Sequence, residues 1–310
     1  MVSTYNPAKD IPSLEGKVFF ITGGTAGLGA GAITNLAAHD PAHIYFTGRN
    51  AKRAEELIAT INKKHPNVAL TYLNCDMAQL SSVKACADKF LESATRLDIL
   101  MCNAGIMGWD ASTTADGYEV QFQVNHLAHA LLIKLLLPIL QKTANGGATD
   151  VRIVNLASQA YAQAPSGGID FATLKTSQAK LGNPIVGYKW NRYGQSKLAN
   201  LLYPVALAKR YPEITSVSVH PGFVRTELMT TMGLVDRVLL AIVGAGKFIS
   251  VEQGPYSQLW AATVEKGKLT SGGYYEPVGL TVKTGGKYAD DEALAEKLWD
   301  WTQEELKAWN

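Results

Sequence analysis

The stretch YGQSK at 193–197 places a phenol four residues ahead of an ammonium group. On a helix, positions i and i+4 share a face, so Tyr193 and Lys197 can address one ligand together. The run around them, WNRYGQSKLANLLYPVALAKR, has the apolar periodicity of a helix. The same spacing recurs in YNPAK at 5–9. There Pro7 would interrupt a helix interior, and Tyr5 and Lys9 are read as coincidence.

A second chemical signal is TGGTAGLGAGAI, directly after the strand-like KVFFIT. Gly23, Gly27 and Gly29, with Thr25 and Leu28 in the same loop, allow a tight turn and a close approach of backbone to phosphate. The helix that follows would aim its N-terminal amides and dipole at the anion. A glycine cluster alone reads equally as a flexible surface turn; the strand before it and the helix after it favour a dinucleotide site. About twenty residues on, where an NAD site has an acid for the ribose, stands FTGRN. Arg49, helped by Arg53, is suited to a 2′-phosphate, so NADP(H) is the expected cofactor. The other reading has Asn50 capping the next helix and both arginines merely solvated. Asp76, in NCDM at the end of the third strand, is placed to bond an adenine amino group, or else to cap the helix starting near Gln79.

These residues need a scaffold, and the pattern around them supplies one. Short β-rich runs at 17–22, 43–47, 68–74, 98–103, 150–157 and 215–220 alternate with helical segments, and GGYYEPVG offers a last strand. The expected fold class is α/β: a single-domain, doubly wound Rossmann fold with a mostly parallel seven-stranded sheet and helices on both faces. Its dinucleotide-binding part would span about 16–160, its catalytic and substrate part about 158–280, and its C-terminal helix about 290–309. Ligands of such a sheet bind beyond the carboxyl ends of the strands, where the strongest candidates fall.

Composition narrows the partners. With 310 residues, 47% hydrophobic and 18% charged, the chain can bury a large core. A net charge of +2 gives no reason to expect nucleic acid. Cys75, Cys86 and Cys102 show neither a C-x-x-C pair nor metal-ligand spacing, so no metal is expected and a cytoplasmic setting with reduced thiols is. The N-terminal residues carry no secretion or transit pattern. LAHALLIKLLLPIL at 127–140 is short for a bilayer and reads as a buried helix, so no stable membrane span is expected. The apolar stretch at 234–249 is read as part of a substrate lid at 227–250, with interfacial membrane binding as the alternative.

The ordered series TGGTAGLG, CDM, NAG, VNHLAH, VNLAS, YGQSK and HPGFVRTEL resembles the short-chain dehydrogenase/reductase family, over about 16–279. Within it, QFQVNHLAHALL and YGQSKLANLL resemble most the retinol-dehydrogenase-like and WW-domain-oxidoreductase-like branch. The resemblance implies that Ser158 bonds the substrate carbonyl and that Tyr193 is general acid in reduction and base in oxidation. Lys197 would bind the nicotinamide ribose and lower the Tyr193 pKa, and Asn125 would hold a water in a proton relay to Lys197. Asn103, Ala104 and Gly105 would line the cofactor channel, with Pro221, Gly222 and Thr226 at its nicotinamide end. A free tyrosine, pKa about 10, is a poor base at neutral pH; a nearby ammonium and the positive nicotinamide favour the phenolate. The family's usual asparagine pair before Ala-Gly is CN here, with Cys102 expected to face into the sheet as a small apolar residue.

The resemblance therefore implies an NADP(H)-dependent reductase of a ketone or aldehyde, reversible as an alcohol dehydrogenase. Met107, Trp109, Tyr161, Tyr188, Trp190 and Phe223 fall in segments facing the substrate, which suggests a bulky lipophilic carbonyl or alcohol; the other reading has half of them packed in the core. The long stretch between Ser158 and Tyr193 would form a flap over the site. Two other classes stay open: a non-redox isomerase, dehydratase or cyclase using the same tyrosine, and a regulatory protein holding NADP as a structural ligand. A homodimer through helices at 115–140 and 190–211 is possible, unless the C-terminal tryptophans and leucines cover that surface.

Overall fold

The strand-like runs pair in register into one sheet. In the computed structural model, which describes residues 5–147, 150–224, 248–282 and 287–309, β1 (Val18–Ile21) pairs with β2 (His43–Gly48), and β2 with β3 (Ala69–Asn74). On its other side β1 meets β4 (Ile99–Cys102), followed by β5 (Arg152–Leu156), β6 (Thr215–Val219) and β9 (Tyr274–Glu276). These are seven parallel strands, as expected. The two-residue β10 (Leu280–Thr281) adds an eighth, antiparallel to β9. β7 (Phe223–Val224) and β8 (Phe248–Ile249) form a separate parallel pair. The order reverses between β1 and β4, and there a doubly wound sheet opens its binding crevice.

β1 (VFFI) and β4 (ILMC) are apolar throughout because both sheet faces are covered, while β5 and β6 admit buried polar side chains at Arg152, Asn155, Ser216 and Ser218. Side chains alternate between two cores, as strand geometry requires. Phe20, Leu100 and Ile153 point into one core, whereas Phe19, Met101 and Val154 point into the other. Cys102 lies with Leu100, buried as expected, and burial pushes its thiol pKa up. Each fully buried Phe, Leu or Ile contributes roughly 1.5–3 kcal/mol, so this alternation carries much of the stability and sets which loops emerge at each strand end.

Among the described residues, one face carries α2 (Gly27–Ala37), α3 (Ala51–Asn62) and α8 (Tyr256–Thr263). The other carries α4 (Leu80–Ser93), α6 (Ala128–Asn145), α7 (Tyr188–Arg210) and α9 (Glu292–Glu305); the short α1 (Pro7–Asp10) precedes the sheet. α6 continues from α5 (Val120–Phe122) through a π turn at Gln123–Leu127. The whole run, Val120–Asn145, is long and apolar enough to cross a membrane, longer than its apolar centre suggests. Yet 78% of that apolar window is buried in the molecule, as a core helix requires.

α7 runs for 23 residues despite Pro204 in its interior. Pro204 has no N–H for the Asn200 carbonyl, and the Ser218 hydroxyl donates to that carbonyl instead at 2.8 Å. α9 packs across α7: Trp299 stacks on Tyr203 at 5.3 Å, Arg210 lies over Trp299 at 4.5 Å and pairs with Glu296. The C-terminal helix thus covers a face considered for dimer formation.

Candidate active site

The carboxyl ends of β1, β4, β5 and β6, together with α7, bring the predicted chemistry to one place. Tyr193 and Lys197 share a face of α7, with the Lys197 Nζ 5.8 Å from the centre of the Tyr193 ring. Ser158 follows β5; its Oγ accepts from the Ala160 amide at 3.2 Å, and its hydroxyl lies close enough to the Tyr193 phenol to favour the phenolate. Lys197 Nζ donates to the Leu156 carbonyl at 2.8 Å, beside the Asn200 amide at 3.0 Å. Both groups are buried. Burial pushes the Tyr193 phenol up to about 12, with the neighbouring Ser158 hydroxyl acting against it. Burial draws Lys197 down to about 8, since a low-dielectric site disfavours the ammonium.

Asn125 sits in the π turn. Its Oδ1 accepts from the Ile106 amide at 2.8 Å, and its Nδ2 donates to the Ile106 carbonyl at 3.0 Å and to Ser196 Oγ at 2.9 Å. Both amide protons are therefore engaged, while the oxygens keep lone pairs. Gly105 faces this group closely: a Cβ there would lie 3.1 Å from Asn125 Oδ1 and 3.6 Å from Lys197 Nζ.

The glycine loop fits a dinucleotide. Gly23 has φ +67°, which only glycine adopts at little cost. A Cβ on Gly29 would drive into the Gly23 carbonyl and the Asn103 amide, so the turn can close only with glycine there. The α2 N-cap, Ala26, makes no side-chain bond to the first-turn amides, which leaves them free to receive an anion. Thr25 lies against the Gly48 backbone, drawing the loop beside the end of β2, and Leu28 is held by Gln258 of α8. Asn103 Nδ2 donates to the Thr22 carbonyl at 2.7 Å, whereas its Oδ1 is buried without a partner among the described residues. Such an orphan acceptor beside Ala104 and Gly105 suits the lining of a cofactor channel.

Arg49 is exposed just past β2. Asn50 does cap α3, accepting from the Arg53 amide at 3.0 Å, which leaves the Arg49 side chain available. Asp76 accepts from the Ala78 amide at 3.0 Å, and the Leu80 amide of α4 is met by Asp116 rather than by Asp76. Pro221 and Gly222 follow β6, with Gly222 against Ile249 and Pro277. Thr226 and most of the 227–250 stretch lie outside the described residues.

The residues expected at the substrate end divide. Met107 and Trp190 form a small apolar cluster with Tyr193 and Ala160, separate from the two cores. Trp109 is 46% exposed at the mouth, and Tyr188 is half-buried at the start of α7. Phe223 lies between His220 and Phe248. Tyr161 instead packs into a main core, edge-on to Tyr274 at 5.7 Å.

The segment at 159–187 packs along the first turns of α7, with Ala160 beside Trp190 and Tyr193 and its middle held by Arg192. Arg192, 2% exposed, donates to the Gln178 carbonyl at 3.2 Å and to the Trp109 carbonyl at 3.1 Å. Its Nε faces Glu119 Oε1 at 3.3 Å as an ion pair without hydrogen-bond alignment. Gln178 has φ +47°, a strained conformation for a non-glycine residue. Its side chain is fixed by Gln195 and Thr173, each at 2.9 Å. Sequence reasoning passed over Arg192, Glu119, Gln178 and also Thr22, His129 and His220. The first three carry no local pattern; His129, four residues after Asn125 on a helix, had a spacing that could have marked it.

The comparisons with known proteins agree with this geometry. The model of the short chain dehydrogenase family matches residues 17–183. The chain is 35% identical to a short-chain dehydrogenase/reductase of Aspergillus calidoustus over 96% of both chains. It is 37% identical to an uncharacterized oxidoreductase of Schizosaccharomyces pombe, covering 96% of this chain and 88% of that one. Among solved structures, an uncharacterized protein from Mycobacterium paratuberculosis superposes with TM-score 0.73 at 26% identity, over 97% of each chain. An NADPH-bound carbonyl reductase from chicken fatty liver shares the fold with TM-score 0.63 at 24% identity, over 87% of this chain and 99% of that one. With its glycine loop, its strand-end serine and its Tyr-x-x-x-Lys helix in one crevice, this chain belongs to the short chain dehydrogenase family of nicotinamide-dependent oxidoreductases.

Proposed function

We propose that this protein is an NADP(H)-dependent reductase of a ketone or aldehyde on a bulky lipophilic molecule, able to run in reverse as an alcohol dehydrogenase. The observation that carries the reading is the buried Tyr193–Lys197 pair on one face of α7, with Lys197 Nζ 5.8 Å from the centre of the Tyr193 ring and Ser158 beside the phenol. Bound NADPH supplies the hydride. Ser158 holds the substrate carbonyl oxygen, and Tyr193 delivers a proton to that oxygen as charge develops on it. The high pKa of the buried phenol keeps it protonated, as an acid must be before transfer. Lys197 holds the ribose hydroxyls and, by its charge, favours the phenolate that remains. Asn125 supports this group through Ile106, and its free oxygen lone pairs offer a water of the relay its place. Arg49 takes the 2′-phosphate, and Asp76 the adenine edge.

Met107 and Trp190, packed beside Tyr193, form an apolar wall that favours a lipophilic substrate over a sugar or a hydroxy acid. The test is a screen of lipophilic ketones and aldehydes for NADPH oxidation by wild type and Tyr193→Phe. General acid–base catalysis contributes roughly 10²–10⁴-fold, so the variant should lose that much rate while still binding NADPH. If wild type binds NADPH tightly and oxidises it with no carbonyl compound, the redox reading fails.

A further inference from the structure

The polar groups buried nearest the site form a chain that the catalytic roles above do not use. His129, 3% exposed on α6, has both ring nitrogens engaged. Nδ1 lies 3.0 Å from the Asn125 backbone carbonyl, inside the π turn. Nε2 lies 2.9 Å from Thr22 Oγ1, at the end of β1. The same hydroxyl accepts from the Asn103 and Ala104 amides, each at 2.9 Å.

The direction of every proton in this chain follows from what each atom can do. A carbonyl only accepts, so Nδ1 carries the hydrogen towards Asn125. Thr22 Oγ1 takes two amide protons on its lone pairs, so Nε2 cannot donate to it; of the two acceptors for its own proton, Nε2 at 2.9 Å is far nearer than the Met101 carbonyl at 3.4 Å. His129 is then neutral, in the Nδ1–H tautomer. Burial and the charge of Lys197 act in the same direction, drawing its pKa down to about 4. One imidazole thus bridges three loops, the end of β1, the Asn103–Ala104 turn after β4 and the π turn carrying Asn125, beside the Asn103–Thr22 and Asn125–Ile106 bonds that join them pairwise.

We propose that His129 is a positioning residue of the active site, holding the cofactor-channel turn through Thr22 and the Asn125 turn beside Lys197 at a fixed separation. The proposal rests on the reductase reading for its effect on turnover, but not for its effect on structure or on NADPH binding. Each half of the imidazole has its own consequence. The Nε2 half sets the Asn103–Gly105 turn and so the grip on the nicotinamide end. The Nδ1 half sets Asn125 and so the proton transfer at Tyr193 and Lys197.

Two conservative variants separate these halves. In His129→Asn the side-chain amide can replace the Nδ1 donor but cannot reach Thr22. In His129→Gln the longer amide can accept from Thr22 but no longer places a donor at the Asn125 carbonyl. His129→Asn should bind NADPH about tenfold more weakly, the worth of one hydrogen bond in a preorganised turn. Its affinity for adenosine 2′,5′-bisphosphate, which never reaches the nicotinamide end, should be unchanged. His129→Gln should keep NADPH affinity within about threefold and lose turnover of a reducible ketone by about tenfold or more. In the free protein, nitrogen-15 NMR of the imidazoles, assigned through His129→Asn, should show His129 neutral with hydrogen on Nδ1 from about pH 5 to 8.

An Nε2–H tautomer or a charged ring would overturn the proposal. So would variants that match wild type, or that lose NADPH affinity, bisphosphate affinity and melting temperature together. If wild type reduces no carbonyl compound, the reductase reading fails separately, and the NMR and binding arms still decide the role of His129.

Discussion

The two halves of the proposed active site are built by different means. The cofactor half, at the ends of β1 to β4, is shaped by backbone: glycines where side chains would collide, open amides at the start of α2, and caps drawn from nearby residues. The substrate half, around the first turns of α7, is shaped by buried polar side chains. Arg192 ties Glu119, Trp109 and Gln178 together, and Gln178 in turn ties Gln195 and Thr173. A backbone cradle tolerates no added atoms but needs no distant partner. A side-chain knot fails when any single partner is removed, because the others are left buried and unpaired.

Acid should break both halves at once, and most strongly. His126, His129 and His220 are buried, and burial depresses their pKa values to about 3, 4 and 3. The unfolded chain takes up these protons below about pH 6.5 while the folded chain does not, so stability is full above that pH and falls as pH drops towards 4. Each group removes up to about 1.4 kcal/mol per pH unit. Glu119, raised to about 7 by burial, has the opposite slope in this window, one group against three. Urea denaturation at stepped pH measures the sum; a midpoint that stays level between about pH 6.5 and 4.5 would contradict it.

Arg192→Met attacks the substrate half alone. It leaves the Glu119 carboxylate buried without its partner, at a cost of roughly 3–5 kcal/mol. Adding Glu119→Gln should recover much of that loss in a double-mutant cycle. Substrate KM should rise more than the NADPH Kd, because Trp109 and Gln178 lose their anchor while the glycine loop keeps its own. Equal losses on both sides would erase the distinction drawn between the halves.

Gly29→Ala does the converse. The added methyl must displace backbone at the Gly23 carbonyl, which costs about 1–3 kcal/mol and should weaken NADPH binding far more than it shifts the melting temperature. The smallest effect is expected at Arg49→Ala. An exposed side chain contributes little to folding, but losing a charge-assisted bond to a 2′-phosphate should weaken NADPH about tenfold and leave NADH unchanged. Isothermal titration with both cofactors reads the difference directly.

Much of the fold was legible because strands and helices announce themselves locally. The seven parallel strands fall where the β-rich runs do, since a strand buried on both faces needs a continuous apolar run. The eighth, β10, has only two residues and depends on β9 for its pairing, so no periodicity could mark it. The helix expected at 115–140 begins at Val120 instead, because the Glu119 cap and the π turn after it leave no periodic trace in the sequence. Tyr161 shows the limit at the site: an aromatic after a strand reads as pocket lining, but here the neighbouring Tyr274 draws it into the core.

What the amino-acid order determined by itself was the chemistry that depends on short spacing. The Tyr193–Lys197 pair shares a helix face by the i, i+4 rule, and the glycine loop lies between its strand and its helix. Tertiary structure alone decided the partners across the sheet. Ser158 meets Tyr193, Glu119 meets Arg192, and His129 meets Thr22 only once β1, β5, α6 and α7 are packed. The physical reason is range. Backbone preference and helical periodicity act over a few residues, whereas a buried hydrogen bond selects its partner by position in space, among groups the chain order leaves far apart.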